Sequence, residues 1–279
     1  MNDLAHQVEQ NAVKLKGAWE SLSNKGQSSL PNACFEHWLK LATLHQQLSG
    51  TTPIFEARNY AWRIVQSLLT TDDNESILQN LVLYNAIKMD FSVARHLSLI
   101  SYVSTTWSIY DRLSNVCGRL AGIAEISNKV NENPKVIDFF MADKKLQNPL
   151  GFTTNLHLKH SYEWPLRVSY KIRNWLVHEG FEVGDISLFK SNSIFDKFVL
   201  NVDAIEKIEK ECNSNLNQKD KSKRTCAPQT DEIWTDRDLI SILCLCDNEI
   251  DIMFSAFLGW SVDSFINQIK LFAARDKIQ

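Results

Sequence analysis

This sequence predicts an all-α fold, mainly a helical bundle, on three observations. Only 9 Gly and 6 Pro punctuate 279 residues, too few for a turn-rich all-β chain. Apolar residues recur at helical spacing over most of the length, most regularly between residues 91 and 127. The breaks between periodic stretches are short and polar, and they carry helix start and stop residues.

Taken in order, residues 3–22 place Leu4, Val8, Val13, Leu15, Trp19 and Leu22 at mixed helical spacing. A polar break from Ser23 to Pro31 precedes a second helix over 34–48, with Phe35, Trp38, Leu39, Leu41 and Leu44. Thr51-Thr52-Pro53 opens a third, because Thr caps well and Pro is tolerated in a first turn. Asp72-Asp73-Asn74-Glu75 separates it from a fourth helix expected at 76–89. The longest helix, 91–127, keeps Val93, Leu97, Ile100, Val103, Trp107, Ile109, Leu113, Val116, Leu120 and Ile123 near heptad spacing.

Beyond Pro134 a short helix is expected at 135–145 and a loop at 147–160. A helix over 162–179 follows, with Ser161 as cap, Pro165 in the first turn and Gly180 as the stop. Ile186, Leu188, Phe189, Phe198, Val199 and Leu200 make 185–200 a pair of short strands or a short hairpin. A charged helix at 202–212 leads into a Lys-rich polar stretch, 213–230, expected to be a flexible surface loop. A last helical region at about 231–276 is expected to break near Gly259. Residues 91–279 then form the core domain, and residues 1–90 are accessory helices, either separate or part of that same domain.

Composition narrows the function classes. Hydrophobic residues at 44% and charged residues at 23% fit an ordinary globular protein. A net charge of −3 disfavours a non-specific nucleic-acid coat but leaves room for a small local basic site. The N-terminus lacks a signal-peptide pattern and no stretch reaches the roughly 18 apolar residues that span a bilayer. A cytoplasmic location with reduced thiols and no membrane partner is therefore expected. Cys244-x-Cys246 has no second ligand pair, so neither a metal nor a cofactor is expected. No Walker loop, Gly-rich dinucleotide turn or nucleophile elbow is present.

The chemistry concentrates in Arg173-Asn174-Trp175-Leu176-Val177-His178. An arginine, four residues and a histidine set a fixed cation and a titratable base within two helical turns. Turning about 100° per residue brings Arg167, Lys171, Asn174 and His178 into one polar stripe, with Arg173 on its flank. Val168, Ile172, Trp175 and Leu176 fall on the opposite, apolar side. Tyr170 and Val177 interrupt the polar front and are expected to be covered by a partner surface. A second Arg-Asn pair, Arg58-Asn59, has Arg63 where the histidine would stand. It lacks the base and is assigned no chemistry.

The hexapeptide resembles the R-N-x-x-x-H motif of HEPN-domain ribonucleases, an all-helical superfamily of toxin–antitoxin, CRISPR and phage-defence systems. The likeness rests on that motif and on helical character over about 91–275. It implies a HEPN-like bundle and metal-independent cleavage of RNA by 2′-OH transesterification. His178 would act as the base, Arg173 would bind and stabilise the scissile phosphate, and Asn174 would hold either of them in place. Arg167 and Lys171 would bind RNA, and Asp111, on the long helix, would pair with Arg173 or orient His178. The resemblance also implies a homodimer with a composite active site and an antitoxin or regulatory partner protein. The alternative is a non-catalytic helical module that grips RNA, a nucleotide or a protein with the same Arg/His face.

Lesser candidates default to plain structure. His157-x-Lys159-His160 reads as a loop that adds positive charge ahead of the motif helix. His37, His45 and His96 have no partner spacing, and Lys219, Lys221, Lys223 and Arg224 read as a solvated run.

Overall fold

The computed structural model describes residues 2–23, 32–70, 81–84, 87–123, 159–174, 176–177, 186–189, 197–200 and 236–275. Their main body is all-α. Six helices dominate: α1 (Asn2–Ser23), α2 (Asn32–Ser49), α3 (Thr52–Thr70), α4 (Phe91–Ile123), α5 (Lys159–Asn174) and α6 (Asp236–Arg275). Two antiparallel hairpins accompany them, β1 (Leu81–Tyr84) with β2 (Ile87–Asp90) and β3 (Ile186–Phe189) with β4 (Lys197–Leu200). The expected helix at 135–145, the charged helix at 202–212 and the loop at 213–230 lie outside the described residues.

The chain gathers into two compact units. One takes Met1–Phe55, Ser108–Lys159 and Ile250–Gln279, the other Glu56–Trp107 and His160–Glu249. The first 90 residues are thus shared between the units, and so are α3, α4 and α6.

In the first unit, α1 packs on α2. Leu4, Val8, Leu15 and Leu22 bury one stripe of α1, and Leu41, Leu44 and Leu48 bury one stripe of α2. Each such side chain contributes about 1.5–3 kcal/mol of transfer free energy. Trp19 and Trp38 add a tilted ring pair with centroids 5.8 Å apart. Val13, 68% exposed, lies off the buried stripe.

The turn into α3 forms as its sequence suggests. The Thr51 carbonyl accepts the first helical bond from the Phe55 N–H at 3.2 Å, while its hydroxyl donates to the Gln47 carbonyl at 2.9 Å. Thr51 therefore ends α2 and starts α3 together, and Pro53 costs nothing in the first turn. Arg112 Nη1 donates to the Gly50 carbonyl at 3.1 Å and ties this turn to α4.

Also in this unit, Tyr110 donates to Asp251 Oδ1 at 3.0 Å and stacks on Phe254 at 5.3 Å. Farther along both helices, the Cys117 thiol meets the Ser261 hydroxyl. These contacts climb α4 and α6 in the same direction, so the two run parallel there. Parallel neighbours need a long connection, and residues 124–235 supply it.

Two expectations are corrected. The helix at 76–89 gives way to the β1–β2 hairpin, with Leu81 opposite Asp90 and Tyr84 opposite Ile87. Leu-Val-Leu-Tyr is as apolar as a helix face but richer in strand-forming residues, and only two residues separate it from Ile87. Nor does α6 break at Gly259. A glycine costs roughly 1 kcal/mol in a helix interior, and burial of Phe257, Leu258, Val262 and Phe265 on either side outweighs it. The stretch at 185–200 resolves into an antiparallel hairpin, with Ile186 opposite Leu200 and Phe189 opposite Lys197. Among the described residues no helix is long and apolar enough to cross a membrane.

Candidate functional site

α5 begins at Lys159, two residues ahead of the expected Ser161 cap. Pro165 consequently stands inside the helix rather than in its first turn, and the bond it would donate to the Ser161 carbonyl is absent. Pro165 is buried, as are Leu166, Val168, Ser169, Ile172 and Leu176. The apolar back expected from the sequence is therefore in place at Val168, Ile172 and Leu176. The side chains of Arg167 and Trp175 lie outside the described residues.

The polar edge emerges at the end of the helix. Lys171 is exposed, and Arg173 and Asn174 are half-buried. Arg173 Nη1 donates to Asn174 Oδ1 at 2.8 Å. The amide of one residue thus restrains the guanidinium of its neighbour, and a fixed guanidinium loses less side-chain entropy on meeting an oxyanion. α5 ends at Asn174, and residues 176–177 form a wider, π-helical turn. The expected α-helix is corrected accordingly at 176–177, while 175, 178 and 179 lie outside the described residues. A wider turn rotates fewer degrees per residue, so the α-helical wheel does not hold at 176–177; single π turns recur at functional sites. His178 lies outside the described residues.

Tyr170 finds part of its cover within its own chain. Its ring lies 5.3 Å from Trp107 of α4, tilted by 58°. Trp107 is buried, and its Nε1 donates to Ser169 Oγ at 3.1 Å. Serine rather than alanine at 169 supplies the acceptor that a buried indole N–H requires. Val177, 37% exposed, keeps its open position. Asp111 is exposed on α4 and belongs to the unit that does not hold Arg173.

A second polar cluster went unassigned in the sequence. Arg58 of α3 is buried at 1% exposure, with its guanidinium carbon 5.9 Å from the Tyr102 ring centre. Tyr102, also buried, donates its hydroxyl to Asp247 Oδ2 of α6 at 2.6 Å, and its ring tilts against Trp62 at 5.1 Å. Burial pushes the Tyr102 hydroxyl well above the usual phenol range; the Asp247 carboxylate adds to the rise and Arg58 opposes it. Burial, seconded by Asp247, pushes the Cys244 thiol up to about 12. A signal was available: Arg58 continues the buried stripe Phe55, Ala61, Val65, and Asp247 sits between buried Leu243 and Ile250. A charge on an apolar stripe is seldom a solvated one.

Among the described residues no three His, Cys, Asp or Glu side chains group as metal ligands would. Comparison with protein-family models, with curated proteins and with solved structures finds no match to this chain.

Proposed function

We propose that this chain is a metal-independent endoribonuclease of the HEPN type, acting as a homodimer in a toxin or defence setting under a neutralising partner protein. One observation carries the reading: Arg173 stands at the polar end of a helix with a buried apolar back, its guanidinium tethered to Asn174 at 2.8 Å. A tethered cation at a helix end suits a phosphodiester, since the planar fork matches paired oxygens.

In the reaction, His178 takes the proton of a ribose 2′-OH, and the 2′ oxygen attacks the adjacent phosphorus. Arg173 stabilises the charge gathering on the non-bridging oxygens. The P–O5′ bond breaks, the 5′ oxygen leaves and is protonated, and a cyclic phosphate and a 5′-hydroxyl result. A second copy supplies the acid that one Arg and one His cannot. DNA, which lacks the 2′-OH, is left intact.

Purified protein is expected to cut RNA in the presence of a chelator. Arg173→Ala and His178→Ala are expected to lose at least a hundredfold in rate while keeping wild-type circular dichroism. Full cleavage by the His178→Ala protein would overturn the assignment of the base. RNA binding without cleavage by the wild type would replace the enzyme with a binding module.

A further inference from the structure

We infer that Trp107 of α4 is a positioning residue for Arg173. Its bond to Ser169 fixes the roll of α5, and with it the direction in which Arg173 leaves the helix. The inference rests on the ribonuclease reading for what Arg173 meets. Its own support is the way Trp107 holds α5, within one compact unit.

Trp107 meets α5 at the turn just before the Arg-Asn pair. Its Nε1 donates to Ser169 Oγ at 3.1 Å, and its ring lies 5.3 Å from that of Tyr170. Ser169 precedes Arg173 by four residues, and Tyr170 precedes Asn174 by four. Residues so spaced stand one turn apart on the same side of a helix. Trp107 is 4% exposed and Ser169 1%, so their bond forms in a medium of low dielectric, where it is strong.

Backbone regularity is interrupted on either side of this turn. Pro165 lacks the N–H that would bond the Ser161 carbonyl, and the winding widens at 176–177. Burial of Val168, Ile172 and Leu176 holds α5 against the rest of its unit, but hydrophobic burial is non-directional. A hydrogen bond resists rotation, since it weakens steeply as its angle departs from linear. Side chains reach about 5–6 Å from a helix axis, so a roll of about 10° carries a terminal group about 1 Å. An error of that size at a reacting group can cost on the order of a hundredfold in rate. The Asn174 bond restrains the guanidinium relative to α5; the Trp107 bond restrains α5 itself.

The test is a double-mutant cycle in Trp107→Phe and Ser169→Ala, run on protein shown to be folded by circular dichroism. Trp107→Phe keeps an aromatic ring beside Tyr170 and deletes the N–H; Ser169→Ala deletes its acceptor. Each is expected to lower kcat for RNA cleavage about tenfold and to leave KM within about twofold. The double variant is expected to lose no more than either single one, because both delete the same bond. Full kcat in folded Ser169→Ala protein overturns the inference, and so do losses that multiply in the double variant. A packing role alone predicts lower urea midpoints with kcat intact. The Arg173 Nε–H resonance, identified by its loss in Arg173→Lys, reads the positioning without RNA. Its heteronuclear NOE is expected to fall in both single variants. An unchanged NOE overturns the inference and leaves the ribonuclease standing. A lowered NOE in a protein that cuts no RNA retains the positioning and removes the ribonuclease.

Discussion

The dipeptide Arg-Asn occurs twice in unit 2, and the protein treats the two copies oppositely. Arg58 is sealed into the unit at 1% exposure, over the ring of Tyr102, whose hydroxyl donates to Asp247. Arg173 sits half-buried at a helix end, its guanidinium tethered to the next side chain. Local sequence does not separate them, since both pairs stand on helices. What differs is the stripe each arginine occupies. Arg58 continues the apolar face of α3, whereas Arg173 flanks the buried face Val168, Ile172, Leu176. A buried charge depends on the groups packed around it, whereas a charge at the rim also meets solvent.

The largest expected difference is in stability. Arg58→Ala deletes a large side chain that is 1% exposed and lies over the Tyr102 ring, and truncating a large buried side chain costs about 2–5 kcal/mol. Arg173→Ala is expected to cost less than about 1 kcal/mol, as rim substitutions do. Urea denaturation of both variants separates them. A milder loss for Arg58→Ala than for Arg173→Ala breaks the comparison.

Tyr102→Phe is the next step down. It removes the hydroxyl that Asp247 accepts at 2.6 Å, and bonds to charged groups contribute about 1.5–3 kcal/mol. The same denaturation series reports it. A cost near zero would mean that Asp247 is satisfied without Tyr102.

pH probes the same cluster. Cys244 holds its proton more tightly in the folded chain, rising from an ordinary 9.0 to about 12. Its contribution to stability is complete below pH 9 and declines as pH climbs toward 12. Cys244→Ser is expected to flatten that decline. Iodoacetamide at pH 8 is expected to alkylate native Cys244 far more slowly than the unfolded chain, because the thiolate is the nucleophile. Rapid native alkylation would show that the thiol is not governed by its buried neighbours.

The contrast also shows what sequence could convey. Helices α1 to α4 were legible because their apolar periods are long and their caps local, Thr51-Thr52-Pro53 among them. The back of α5 was legible for the same reason. The Arg173–Asn174 bond joins adjacent residues and needs no tertiary knowledge. The Tyr102–Asp247 bond spans 145 residues, and no periodicity announces which tyrosine meets which aspartate. Leu81–Asp90 failed for another reason: a short apolar run fits a helix face and a strand equally well. The wheel of α5 leaves Tyr170 uncovered, because it shows exposure around one helix only. Trp107, brought in by α4, is invisible to it.

The smallest effect is the sharpest test of the pairing. Asn174→Ala removes one half-exposed hydrogen bond, about 0.5 kcal/mol of stability, and with it the acceptor that Arg173 Nη1 meets at 2.8 Å. If the tether orients Arg173 toward a phosphate, cleavage is expected to fall about tenfold, since misplaced reacting groups lose rate far out of proportion to stability. Asn59→Ala, in the buried copy, is expected to leave cleavage unchanged, because Arg58 is buried over the Tyr102 ring and takes no part in the proposed reaction. Matched cleavage assays on the two alanine variants decide it. An equal fall in both would mean that the dipeptides act alike and that burial is not what distinguishes them. A fall for Asn174→Ala alone assigns the difference to the tether, since the two substitutions delete the same atoms from the same dipeptide.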